Sequence, residues 1–117
     1  MNHRQEIGRR GEEMAKQYLI GRGYKILAQN VKLSFNELDI VAEKDGILVF
    51  VEVKTRSNDA YGRADEAMLS RKTKRIKRGI SQYLRIYKPR YRDLRLDFIA
   101  IDLDKDKANI SHFEDVG

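Results

Sequence analysis

Asp45 and Gly46 constrain this chain more than any other pair of neighbours. Asp-Gly between two strand-like apolar runs favours a two-residue β-hairpin turn. Once that turn is placed, the pairing around it follows by counting. Lys44 faces Ile47, Val41 faces Phe50, Asp39 faces Glu52 and Glu37 faces Lys54. Alternation then gathers Asp39, Val41, Phe50, Glu52 and Lys54 on one face of the hairpin. Directly opposed carboxylates repel and weaken a sheet. A divalent cation between Asp39 and Glu52 would turn that liability into a site, since carboxylate oxygens are the ligands Mg²⁺ and Mn²⁺ take.

The hairpin sits within a longer alternation of elements. Residues 4–21 read as a helix, with Ile7, Met14, Ala15, Tyr18 and Leu19 at helical spacing and Gly21 and Gly23 to stop it. Tyr24 to Val31 reads as a strand, followed by Leu38 to Glu43 and Ile47 to Thr55 as the two arms of the hairpin. Ser57 to Asp65 is polar and reads as a loop. Ala67 to Tyr87 reads as a long helix with Ile76, Ile80, Tyr83, Leu84 and Tyr87 inward, ended by Pro89. Leu94 to Leu103 alternates as a strand, Lys105-Asp106-Lys107 turns, and Ala108 to Phe113 is an edge strand. The order α-β-β-β-α-β-β defines a single α/β domain over residues 1–117, a mixed five-stranded sheet flanked by helices.

Charge is distributed unevenly. The 117 residues carry 24 Lys and Arg against 18 Asp and Glu. Ten of the basic residues fall between Ala67 and Arg92, where there is no acid, leaving 14 basic against 18 acidic elsewhere, a net of −4. A stretch so one-sided is the expected electrostatic footprint of a protein that binds nucleic acid. Arg71, Lys72, Lys74, Arg75, Arg78 and Arg85, with Gln82 as a hydrogen-bonding neighbour, are the candidate contacts. The chain has no cysteine, which excludes disulfides, zinc ribbons, thiol catalysis and iron–sulfur clusters and fits a reducing cytoplasm. No apolar run approaches the ~20 residues that span a bilayer, and the charged start of the chain does not read as a signal peptide.

A third acid joins the pair. Ala15 and Leu19 lie three and seven positions after Glu12, so Glu12 shares the apolar stripe of the first helix while Glu13 turns away. An acid on a buried stripe needs a partner, either a cation-binding site or an ion pair with a basic residue at the core edge. Lys54 shares a strand face with Glu52. Beside a scissile phosphate its ammonium could position water or stabilise developing charge; a salt bridge to Glu37 is the structural alternative. Other motifs fail on context. His3 and His112 are too few for a histidine–metal nuclease and read as surface residues. No glycine-rich loop leads to Lys-Ser/Thr. Gly8-Arg9-Arg10-Gly11 matches a GXXG clamp but falls inside a helix rather than between two.

A helix with an inward Glu, then Asp, a hairpin and Glu-X-Lys resembles the PD-(D/E)XK nuclease motif. The chain from Arg4 to about Phe113 is similar to the YraN-like UPF0102 family. The likeness rests on Gly8-Arg9-Arg10-Gly11-Glu12, Tyr18-Leu19, Gly23-Tyr24, Glu37-Leu38-Asp39-Ile40-Val41-Ala42, Leu48 to Arg56, and Glu66-Ala67 with Lys72. Leu38 stands where the superfamily motif has proline, and Asn36 where family members usually have glycine. The resemblance implies a restriction-endonuclease-like fold akin to archaeal Holliday-junction resolvases. It implies Glu12, Asp39, Glu52 and the Val53 carbonyl as metal ligands, and Lys54 as the catalytic lysine. The expected activity is Mg²⁺- or Mn²⁺-dependent hydrolysis of DNA, with branched or structured DNA as a candidate substrate. A resolvase-like task would need two active sites and hence a homodimer. The alternative is an inactive nucleic-acid-binding or protein-interaction module on the same fold.

Overall fold

A computed structural model describes residues 3–57, 66–104 and 107–117; the side chains of residues 4, 57, 66–72 and 104 lie outside the described set. Helix α1 (His3–Gly21) leads into β1 (Lys25–Leu33), β2 (Asn36–Lys44) and β3 (Ile47–Ser57). Helix α2 (Glu66–Tyr87), β4 (Asp93–Asp104) and β5 (Lys107–Phe113) follow. The five strands form one sheet in chain order. All neighbours are antiparallel except β3 and β4, which are parallel. Parallel strands need a crossover connection, and α2 lies in it. This is the α/β order read from the sequence, with element ends moved by one or two residues, where termini fray. Most of the loop read at 57–65, and residues 105 and 106 of the last turn, lie outside the described residues. Among the described residues no helix is long and apolar enough to cross a membrane.

The sheet is covered on both faces. Ala15 and Leu19 of α1 pack with Tyr24, Ile40, Ala42, Val49, Val51, Val53, Ile99 and Ile101 on one side. Ile76 and Tyr83 of α2 pack with Leu33, Leu38, Val41, Leu48, Phe50 and Leu96 on the other. Strand β3 therefore alternates between two apolar layers, which is why Leu48 to Val53 is nearly continuously apolar and interrupted only by Glu52. Tyr87, expected inward, is 56% exposed in the last turn of α2, although its ring lies against Tyr83 with centroids 4.7 Å apart.

The Asp-Gly turn forms as expected. Asp45 and Gly46 take φ of 54° and 81°, the two left-handed residues that a type I′ hairpin requires. The register is the counted one from Lys44↔Ile47 through Val41↔Phe50 to Ile40↔Val51. The β2–β3 ladder ends there, so the counted pairs Asp39–Glu52 and Glu37–Lys54 do not form, while the β1 pairing, which runs from Glu43 to Asn36, continues with Glu37 opposite Lys32. The reason is local. The Val53 amide donates to Asp39 Oδ2 at 2.9 Å, so a side chain takes a donor of β3.

Alternation also breaks at this point. Leu38 and Val41 are three residues apart yet share the α2 layer, and on β1 so do Ala28 and Val31. Between Gln29↔Ile40 and Val31↔Leu38 lies Asn30, with φ of 49°. A left-handed residue turns the strand, and Asn accepts that conformation at low cost. Glu52 and Lys54 continue the face of Phe50, but the kink removes Asp39 from the face of Val41. It turns the Asp39 carboxylate toward the β3 backbone and the influence of α1.

Candidate active site

Asp39 and Glu37 lie close enough to act on Glu12 at the kink. Gly11 makes this approach possible: a Cβ there would fall 1.7 Å from Thr55 Oγ1, so only glycine lets α1 come this close to the end of β3. Glu12 follows directly and is half-buried, whereas Glu13 is exposed and accepts a hydrogen bond from Gln17. Burial, then the charges of Asp39 and Glu37, push the Glu12 pKa from 4.5 to about 7; a hydrogen bond from Asn30 works in the opposite direction. The carboxyl is thus held among like charges with one neutral amide to support its ionised form.

Glu52 is 8% exposed and Lys54 is exposed, two residues apart on the same strand face. Asp39 and Glu52, counted as opposite each other, are not a ladder pair, because the β2–β3 pairing ends at Ile40↔Val51. Among the described residues no ion pair joins Lys54 to Glu37. Oxygen-only donors at a crowded, partly buried position suit a hard divalent cation such as Mg²⁺ or Mn²⁺. Glu12, Asp39 and Glu52 are not, however, drawn together so that their ligand atoms all lie within 4.8 Å of one another. Asn30 and Glu37 were missed as neighbours of Glu12. An Asn inside a strand, where it is depleted, was the available signal.

Among the described residues the trio that does meet that 4.8 Å spacing is Asp97, His112 and Glu114. Asp97 is completely buried on β4, and its lone pairs are already taken. Oδ1 accepts from Arg95 Nε at 2.8 Å and the Asp115 amide at 3.0 Å. Oδ2 accepts from Arg95 Nη2 at 2.9 Å and meets His112 Nε2 at 2.7 Å. His112 Nδ1 faces the Tyr18 hydroxyl at 3.1 Å, and Arg95 also donates to the Tyr24 hydroxyl. Burial alone would raise the Asp97 pKa, but the bonds from Arg95, Asp115 and His112 and the Arg95 charge hold it below its ordinary value. A metal here would have to displace a bidentate arginine, so the cluster is a hydrogen-bonded anchor. His112, expected at the surface, has a side chain only 8% exposed because Asp97 and Tyr18 claim both ring nitrogens.

Helix α2 presents Lys74, Arg75, Lys77, Arg78 and Arg85 to solvent, opposite the buried Ile76 and Tyr83. Lys77, not among the expected DNA-contacting residues, belongs to this face. Gln82 instead accepts a hydrogen bond from Asn36 Nδ2 at 3.0 Å and ties α2 to the β1–β2 hairpin. The side chains of Arg71 and Lys72 lie outside the described residues.

The geometry defines an α/β protein with an acid cluster at a strand kink and a basic helix across the sheet. The model of the family described as "Uncharacterised protein family UPF0102" matches residues 11–101. A UPF0102 protein of Syntrophomonas wolfei is 40% identical over 107 residues, covering 92% of this chain and 93% of that protein. One from Dictyoglomus turgidum is 41% identical over 114 residues, covering 97% and 95%. One from Mycolicibacterium smegmatis is 39% identical and covers 97% and 94%. The chain belongs to the UPF0102 family.

Proposed function

We propose that this protein is a divalent-cation-dependent DNA endonuclease. The observation that carries the reading is the Glu12 carboxyl, held half-buried beside Asp39 and Glu37 with its pKa raised to about 7. Strongly perturbed carboxylate pKa values cluster at functional sites. Asp39 and Glu52 would hold the cation, with Glu12 and the Val53 carbonyl completing the set. When bound, Mg²⁺ or Mn²⁺ acidifies a water and offsets phosphate charge.

The protein's own groups do the remaining work. The Val53 amide fixes the orientation of Asp39. Lys54, two residues beyond Glu52 and exposed, would direct its ammonium to the scissile phosphate and stabilise charge there. The exposed cations of α2 would grip the phosphate backbone without reading sequence.

The test is incubation of the purified protein with linear, single-stranded, flapped and four-way DNA in Mg²⁺, Mn²⁺ or EDTA. Cleavage of at least one substrate with metal and none in EDTA supports the reading. Binding without cleavage under every condition would favour an inactive binding module.

A further inference from the structure

The β1–β2 hairpin ends in a residue that its packing does not explain. Leu33 pairs with Asn36, so Ser34 and Phe35 form a two-residue turn, with Ser34 at φ of 53°. Phe35 is 98% exposed, the most exposed large hydrophobic side chain among the described residues. A lone exposed apolar residue is ordinary; its position is what distinguishes this one. Leu33 and Leu38, flanking the tip, are buried against Ile76 and Tyr83 of α2. Asn36, the next residue, donates to Gln82. Gly79 leaves room for this approach, since a Cβ there would come within 3.3 Å of Asn36 Cβ and 3.2 Å of Leu38 Cδ2. The tip is therefore fixed to the helix that exposes Lys74, Arg75, Lys77, Arg78 and Arg85. The same strand carries Glu37 and Asp39, and Asp39 is four residues from Phe35, roughly 13 Å along an extended chain.

An almost fully exposed aromatic ring on an arm braced to a cationic helix, four residues along the chain from Asp39, has the chemistry to meet a base. Phosphates complement the helix, while the ring complements the π-face that every unpaired base presents. We propose that Phe35 stacks on an unpaired base of bound DNA, so that the substrate class is DNA with unstacked bases beside duplex, such as a flap or a splayed junction. In intact duplex the bases are stacked on one another and offer the ring no free face. The inference rests on the nucleic-acid-binding half of the function proposed above and is independent of turnover.

The experiment measures binding in EDTA, so that cleavage plays no part, by fluorescence anisotropy with flapped, single-stranded and blunt duplex DNA. Phe35 is exposed, so Phe35→Ala should fold, and circular dichroism checks that it does. It should lose about tenfold or more in affinity for flapped and single-stranded DNA, as expected for one base–aromatic stack, and less than twofold for blunt duplex. Phe35→Tyr should restore the loss. The chain has no tryptophan, so Phe35→Trp provides a lone fluorophore that flapped DNA should quench and blunt duplex should not. Equal loss on all three substrates, or no loss with unquenched Trp emission, would overturn the stacking role while leaving nucleic-acid binding intact. No binding of any substrate by wild type would overturn the binding reading and this inference with it. A dimer in sedimentation that Phe35→Ala dissociates, with unchanged DNA affinity, would assign the tip to self-association instead.

Discussion

Asp97 on β4 and Glu12 on α1 are both acids on the α1 side of the sheet, and their surroundings drive them in opposite directions. Asp97 is fully buried but receives a forked arginine, a histidine and a backbone amide, and its pKa falls. Glu12 is only half-buried, yet burial first and then the charges of Asp39 and Glu37, against a hydrogen bond from Asn30, raise its pKa to about 7. Burial alone does not separate an acid that holds the fold from one left available for chemistry. The partners do: the satisfied carboxylate anchors β4 to the C-terminal residues, and the crowded one has its pKa raised.

The largest expected effect breaks the first half of that contrast. Asp97→Ala leaves Arg95 without its bidentate partner in a largely buried site. It should cost about 3–5 kcal/mol, as for a buried pair that loses one member. Urea denaturation at pH 7 measures it, and a loss below about 1 kcal/mol would mean that the network does not hold the fold. The sign with pH follows from the lowered pKa. The Asp97 contribution is present above its ordinary value of 3.8 and disappears as pH falls through the lower folded value. The stability of wild type over Asp97→Ala should therefore narrow only in strong acid.

Lys54→Ala sharpens the second half. It should reduce cleavage by a factor on the order of 10²–10³, about 2.7–4 kcal/mol of transition-state stabilisation. As an exposed residue with no ion pair to Glu37, it should leave the melting temperature nearly unchanged. Full cleavage by the variant would remove Lys54 from the chemistry.

A smaller effect tests the crowding of Glu12. Its folded pKa is raised, so its stabilising contribution is present below 4.5 and lost as pH rises through about 7. In EDTA, Glu12→Gln should therefore become more stable than wild type as pH increases across that window. The gain should be about 1–2 kcal/mol once the roughly 1.4 kcal/mol per pKa unit is discounted for solvent screening of a half-exposed group. A difference that does not change between pH 4 and pH 8 would show that neither burial nor the charges of Asp39 and Glu37 perturb it. The smallest effect concerns α2: charge reversal at Arg75 and Arg78 should weaken DNA binding about equally for unrelated sequences. It should also make the log–log salt dependence shallower, by about 0.9 for each duplex phosphate that the variant no longer neutralises. Unchanged affinity would remove this helix face from the interface.

The sequence revealed the parts of this contrast that depend on local pattern. Asp45-Gly46 determined the hairpin register down to Ile40↔Val51 because turn chemistry acts over two residues. The inward stripe of α1 picked out Glu12 because helical spacing is also local. The counted register ends at Ile40↔Val51, where the Asp39 carboxylate takes the Val53 amide, and the alternation of faces changes beside the left-handed Asn30. His112 was misread for a related reason. Its partners Tyr18 and Asp97 lie 94 and 15 residues away in the chain, and no periodicity announces such a meeting. Asp97 itself alternates with apolar residues like a solvent-facing strand acid, and only its place on the face that α1 covers shows that it is buried.

The central claim, that the crowded acids are a cation site and the satisfied ones are not, is tested most directly by thermal melting with and without Mn²⁺ at pH 7.5. A ligand that binds only the folded state stabilises it by about 2.7 kcal/mol at a hundred times its Kd. Wild type should melt several degrees higher with Mn²⁺, Asp39→Asn should show no such shift, and His112→Gln, which alters only the Asp97 cluster, should keep it. A shift that survives in Asp39→Asn but vanishes in His112→Gln would place the cation at the wrong cluster and contradict the account.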